Sequence, residues 1–266
     1  MDSPLTFRYV RSSVLACALA CACGLRLSGQ LSSNPISTPQ PRPVLVELFT
    51  SEGCSDCPPA DNLLQQLDTR QPIPGVQAIV LSEHVTYWNH DGWHDPFSLD
   101  AMTQRQEDYV RRFGLDSSYT PQMVVDGTTQ FVGSNGKALV AALSNAANTP
   151  KQPLSIQNAA WDKGSVVFSL AGDIPSHAKL FAALAADATH SEVTRGENAG
   201  RSLHHTAVVR ALKEYSSKDA VGSSLKLSGG PLAEPGEANS TIRLVVFLVD
   251  PRTGHVLGAA EQILQR

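Results

Sequence analysis

The sequence predicts an α/β unit followed by a β-rich, sandwich-like unit. Three observations carry this reading. A strand–helix–strand pattern begins at residue 44, and a hairpin closed by a helix ends near residue 148. After residue 153 the texture changes to short apolar runs separated by turn-rich stretches. At 266 residues the chain is longer than one typical domain, and with 42% apolar and 17% charged residues it has the composition of a globular protein. The net charge of -4, without a Lys/Arg cluster, argues against a nucleic-acid surface. No run after the first thirty residues approaches the length of a bilayer span.

Those first thirty residues have the build of an export signal. Arg8 and Arg11 supply positive charge, and residues 12–25 form a short, almost uncharged apolar stretch. The expectation is a signal peptide or lipoprotein leader over 1–27. A flexible tether over 28–43, rich in Gly, Ser, Pro and Gln, would follow it. The small residues around Cys21 and Cys23 resemble a weak lipobox, which leaves a lipid anchor open. The expected location is periplasmic or secreted. Three of the five cysteines, Cys17, Cys21 and Cys23, fall in the leader, so the mature chain would keep only Cys54 and Cys57. A bridge closing so small a loop restricts little of the unfolded chain, so stability is a poor reason to keep it.

Each element follows from local pattern. Residues 44–49 read as a mostly buried strand. Residues 58–68 read as a helix with Ala60, Leu63, Leu64 and Leu67 on one face, and 76–81 as a parallel partner strand. The stretch 84–97 is aromatic and polar without a period. Ser98 or Asp100 then caps a helix that runs to Phe113 and stops at Gly114. Thr120-Pro121 leads into a strand over 122–125, Asp126-Gly127 offers a tight turn, and 129–132 returns. A helix over 137–147 closes the first domain, 44–148. Residues 149–153 read as a linker into a second domain, 154–266, with strands over 155–160, 166–170, 180–185, 206–212, 242–249 and 256–264.

The chemistry concentrates at Gly53-Cys54-Ser55-Asp56-Cys57-Pro58-Pro59. A C-x-x-C pair where a strand feeds a helix can cycle between dithiol and disulfide, and helix amides favour the thiolate. Cys54, nearer the loop, is the expected nucleophile, and Cys57 the resolving thiol. Pro58 and Pro59 suit a first helical turn, which puts the helix start near Cys57 rather than Cys54. Glu52 and Asp56 add negative charge that opposes a thiolate, so a moderate redox potential is expected. Glu47, seven residues before Cys54, could relay protons if it points inward; otherwise it is a solvent-facing strand residue.

These residues, with the order strand–helix–strand and Thr120-Pro121–hairpin–helix, resemble the thioredoxin-like superfamily over about 43–148. The resemblance implies a cis proline at Pro121 beside the cysteines, with Thr120 presenting backbone groups to a substrate. More narrowly, Val46 to Asp61 (VELFTSEGCSDCPPAD), His84-Val85-Thr86-Tyr87-Trp88 and Arg195-Gly196-Glu197-Asn198 resemble a bacterial exported family called domain of unknown function 1223. That resemblance implies a thioredoxin-like domain with a β-rich extension and names no substrate. Gly53 departs from the aromatic residue that usually precedes the first cysteine in thioredoxins.

His84, His90 and His94, with Asp91 and Asp95, crowd the aromatic stretch, and His204 and His205 come later. Copper chaperones of the Sco type pair two cysteines with a distant histidine but space the cysteines by three residues, not two. No second C-x-x-C supports zinc. The segment reads better as an aromatic insertion covering the sheet edge or the site mouth, with Trp88 available to bind a partner. Arg195 to Arg201 lacks the dinucleotide glycine spacing and reads as a turn.

The expected function is that of an exported thiol–disulfide oxidoreductase acting on thiol or disulfide proteins of the envelope, with no cofactor and no metal ligand assigned. The alternatives are a copper carrier using the same cysteines plus a histidine, and a non-catalytic interaction protein. The oligomeric state stays open.

Overall fold

The apolar run that follows the proline-rich stretch forms β1 (Arg42–Thr50), buried from Val44 onward. The computed structural model describes residues 40–220, 222–229 and 241–265. The expected leader (1–27), with Cys17, Cys21 and Cys23, and the tether up to residue 39 lie outside the described residues. After β1 come α1 (Pro58–Arg70) and β2 (Val76–His84), which is parallel to β1 from Arg42↔Val76 to Thr50↔His84. α2 (Asp100–Phe113) ends on Gly114, whose φ of 64° is the left-handed cap a glycine supplies without strain. β3 (Gln122–Val125) and β4 (Thr129–Val132) form a hairpin turning at Asp126 and Gly127, both at positive φ. The Asn135 side chain accepts from the Ala138 N–H and so caps α3 (Gly136–Ala146).

The remainder is strand: β5 (Leu154–Asp162), β6 (Ser165–Gly172), β7 (Lys179–Ala186), β8 (Thr189–Glu192), β9 (Ser202–His205), β10 (Val208–Ser216), β11 (Leu225–Ser228), β12 (Thr241–Val249) and β13 (Val256–Gln265). Here the structure corrects the predicted fold class. The chain does not build an α/β thioredoxin-like domain followed by a separate β-rich domain. β7, β10, β12 and β13 continue the sheet that holds β1 to β4, in the order β13-β12-β7-β10-β2-β1-β3-β4, and the molecule is mostly β. The junction is the β2 edge, where β10 runs parallel and Val208 pairs with Ser82. The described residues make one compact unit.

The physical reason lies in the two-sided burial of β7 and β12. Their even-numbered residues (Leu180, Ala182, Leu184; Ile242, Leu244, Val246, Leu248) pack with Val166, Phe168, Leu225 and Leu227 of the second sheet, β11-β6-β5. Their odd-numbered residues (Ala183, Ala185; Val245, Phe247) join the core that also holds Val44, Val46, Leu48, Ile79 and Leu81. A strand covered on both faces reads as an unbroken apolar run, and such a run does not say which sheet it belongs to. Residues 149–153 are tied into this unit. The Lys151 ammonium is buried against Asp126 and donates to the Val256 carbonyl at 2.6 Å, and Gln152 N–H donates to the Leu257 carbonyl at 2.7 Å.

Candidate functional site

β1 delivers the chain to a turn, Ser51-Glu52-Gly53, closed by Cys54 N–H donating to the Ser51 carbonyl at 3.2 Å. Cys57 caps α1: its carbonyl accepts from Ala60 N–H (2.8 Å) and Asp61 N–H (3.1 Å), and prolines fill the first two helical positions. Cys54 and Cys57 are joined in a disulfide with Cα atoms 5.4 Å apart. Both are buried, at 1% and 0% exposure, while Ser55 and Asp56 between them are exposed.

Cys54 Sγ lies 3.9 Å from the Thr120 carbonyl oxygen, and the Thr120–Pro121 peptide is cis. Trp88 Nε1 donates to Thr120 Oγ1 at 2.7 Å, so the indole spans from the insertion to the residue before Pro121. Gly53 packs under Trp88: a Cβ there would stand 3.0 Å from Trp88 Cβ and 3.2 Å from its carbonyl oxygen. Space, rather than backbone angle, therefore favours glycine at 53. Cys54, Cys57, Thr120, Pro121 and Trp88 are thus brought together around one disulfide.

Glu47 is held elsewhere. Its carboxylate accepts from Arg105 Nε and Tyr109 OH of α2, both at 2.5 Å, and Arg105 also lies 3.6 Å from Glu83. Arg105 is stacked at 5.1 Å over Phe181 and over Phe247. This cluster bolts α2 across β1, β2, β7 and β12. Burial, and then Glu47, push the Glu83 carboxyl well above the usual range, with Arg105 pulling the other way.

The loop between β8 and β9 seals the disulfide. Asn198, fully buried, donates from Nδ2 to the carbonyls of Glu52 (2.8 Å) and Cys54 (2.9 Å), and Glu197 accepts from Ser55 N–H at 3.0 Å. Gly196 is at φ 75°, which strains any other residue, and a Cβ there would stand 3.1 Å from the Asp91 carbonyl oxygen and from Trp93 Cβ. Read from sequence as a turn, this stretch is a clamp on the cysteine loop. Its one foreshadowing signal is the Arg195-Gly196-Glu197-Asn198 string.

Beneath the clamp is a buried polar group the sequence reading did not assemble. Glu52 accepts from Trp93 Nε1 at 2.8 Å and lies 3.0 Å from His205 Nε2. His205 Nδ1 is 3.9 Å from Asp61 Oδ2, and His84 Nδ1 is 2.7 Å from Asp95 Oδ2. The two imidazoles meet edge to face at 4.6 Å. Burial disfavours the Asp95 carboxylate, but His84 and the N–H groups of Glu52 and Phe97 outweigh it and lower its pKa to about 2. Burial likewise opposes a charged His84, yet Asp95, with Asp61 and Glu52 beyond it, raises its pKa. Of the histidines read together in the sequence, His84 is buried here and His90 and His94 are exposed. Among the described residues no three His, Cys, Asp or Glu side chains are arranged to hold a metal ion. No helix among them is long and apolar enough to cross a membrane.

A search of curated proteins finds no match. The fold is similar to a crystal structure of a protein from Agrobacterium tumefaciens at 20% identity, with a TM-score of 0.58 over 84% of this chain and 95% of that one. At that identity the likeness speaks to fold alone. A family model described as a protein of unknown function matches residues 45–248, a span that holds the disulfide, the aromatic insertion and the clamp, and on that match the chain belongs to the DUF1223 family.

Proposed function

We propose that this protein is a thiol–disulfide oxidoreductase that works on protein thiols outside the cytoplasm. The observation that supports this best is the Cys54–Cys57 bridge at the start of α1, with Cys54 Sγ beside the Thr120 carbonyl and Trp88 next to it. A partner thiolate would attack Cys54 Sγ. The sulfur–sulfur bond breaks, and Cys57 leaves as a thiolate that takes up a proton. A second partner thiol, once deprotonated, attacks the mixed disulfide and releases Cys54, so the partner is oxidised by two electrons and the pair is reduced. The leader over 1–27 supports an envelope or secreted location, where disulfides persist.

Burial of both sulfurs favours a second reading, in which the bridge is inert and structural. The small loop it closes weighs against that, since such a bridge restricts little of the unfolded chain. Equilibrating the mature chain with glutathione buffers separates the two. An oxidoreductase gives a reversible couple, loses turnover in Cys54→Ser and traps a mixed disulfide in Cys57→Ser. A bridge that no folded-state thiol reduces, and whose loss only lowers the melting temperature, would refute the proposal.

A further inference from the structure

Buried polar side chains normally find a hydrogen-bond partner, and those that do not call for an explanation. Five such atoms belong to the residues between the cysteine loop and the buried histidines: Asp61 Oδ1, His205 Nδ1, His84 Nε2, Thr50 Oγ1 and Asn198 Oδ1 have no hydrogen-bond partner, though their residues are at most 6% exposed. Asp61 follows Cys57 by four residues. Cys57 already has helical backbone angles, and its carbonyl accepts from Asp61 N–H, so the two side chains share one face of α1. The groups that act on Asp61 come from several elements: Thr50 at the end of β1, His84 at the end of β2, His205 on β9 and Asp95 from the loop after β2, with Glu52 on the far nitrogen of His205. A cleft of 390 Å³ lined by Pro58, Asp61, Asn62, Arg201, His204 and His205 joins this group to the surface.

We infer that Asp61 and His205, backed by Glu52, form the acid–base pair that carries protons between Cys57 and the cleft. This rests on the oxidoreductase reading above. When an incoming thiolate breaks the bond at Cys54, Asp61 in its acid form gives its proton to the departing Cys57 sulfur. The Asp61 carboxylate is then reprotonated through His205 from the cleft. In the reverse direction the Asp61 carboxylate takes the proton from the Cys57 thiol, leaving the thiolate that closes the bridge. Burial raises the Asp61 carboxyl above its usual range, against the pull of His205, His84 and the Thr50 hydroxyl, so it keeps its proton to higher pH. Glu47, the sequence's own candidate for this work, is committed to Arg105 and Tyr109.

The test is the rate of reduction of the mature chain by dithiothreitol, divided by the dithiothreitol thiolate present and followed against pH. In the wild type this quotient falls as Asp61 loses its proton. In Asp61→Asn it becomes flat and, at the acidic end, about 10²-fold lower, while Asp61→Glu restores the fall and His205→Gln moves its midpoint. A wild type that exchanges and an Asp61→Asn that keeps both rate and slope would overturn the relay and leave the oxidoreductase standing. A wild type that dithiothreitol does not reduce removes both. If Asp61→Asn fails to fold, the ¹³C carboxyl titration of Asp61 in the wild type decides. Its midpoint differs between oxidised and reduced protein if Asp61 is coupled to Cys57, and equal midpoints refute the coupling.

Discussion

Two clusters of buried charge lie on this sheet, and they are built on opposite plans. In the cluster under α2, Arg105 engages Glu47, Tyr109 and Glu83 and stacks on two phenylalanines, so the cation is surrounded by partners. In the cluster beside the disulfide, Glu52, His205, Asp61, His84 and Asp95 are all buried, yet Asp61 Oδ1, His205 Nδ1 and His84 Nε2 have no hydrogen-bond partner. A network gathered round an engaged cation holds a structure in place, even though both oxygens of Glu83 lack a hydrogen-bond partner, whereas one in which acids and imidazoles leave donors and acceptors spare has somewhere to put a proton. The first joins the early strands to the late ones; the second sits where a thiol would need an acid.

The largest expected effect tests the first half of that contrast. Arg105→Ala leaves the Glu47 carboxylate buried with Tyr109 as its remaining partner, and breaking a buried pair from one side costs about 3–5 kcal/mol. Urea unfolding should report a loss of that size. A loss below about 1 kcal/mol would mean that the cluster under α2 is not the bolt described here.

Acid titration separates the clusters further. The Asp95 pKa falls from 3.8 to about 2, so its contribution is present above the unfolded value and lost as pH falls through the folded one. At about 1.4 kcal/mol per unit this amounts to roughly 2 kcal/mol. His84, raised from 6.5, works in the other window: its contribution is full below the unfolded value and is lost as pH rises through the folded one. Glu83 also favours low pH, because its folded value lies above its unfolded one. Asp95→Asn should therefore flatten the acid limb of stability between about pH 4 and pH 2. A limb that is unchanged in Asp95→Asn would show that the His84–Asp95 pair contributes nothing there.

Local elements of this fold are legible in the sequence, and their assembly is not. The strand expected over 44–49 is β1 over Arg42–Thr50, the hairpin strands over 122–125 and 129–132 stand where expected, and the helix expected over 137–147 is Gly136–Ala146. Apolar spacing and Asp126-Gly127 are local signals. What joins 180–186 and 242–249 to the first strands is pairing across more than a hundred residues, which no period records. β8, β9 and β11 have four residues each, and Thr-His-Ser-Glu or Ser-Leu-His-His carries no clear alternation. At the site, the cysteines and the Thr120-Pro121 step stood out by residue type. Glu52 reads there only as a charge opposing a thiolate and His205 only as a late histidine, and Asp61 carries no signal, because an acid in a loop, an acid in a first helical turn and a histidine in a short strand look like surface residues. Only burial distinguishes them.

The smallest effect probes how the disulfide is kept closed. Asn198 donates to the carbonyls of Glu52 and Cys54, so Asn198→Ala strips two hydrogen bonds from the turn that carries Cys54. The folded protein should lose about 1–2 kcal/mol, the ordinary worth of such bonds in a buried setting. Its disulfide should also be reduced faster, because the clamp that holds both sulfurs near zero exposure is weakened. The two readouts separate a clamp from a brace. If stability falls while the reduction rate stays at the wild-type value, the β8–β9 loop merely supports the turn, and partner thiols reach Cys54 from the Trp88 side. If the rate rises with only a small loss of stability, opening of this loop limits access. Exchange would then be gated on the side of the molecule that also carries His205 and the cleft beneath Pro58.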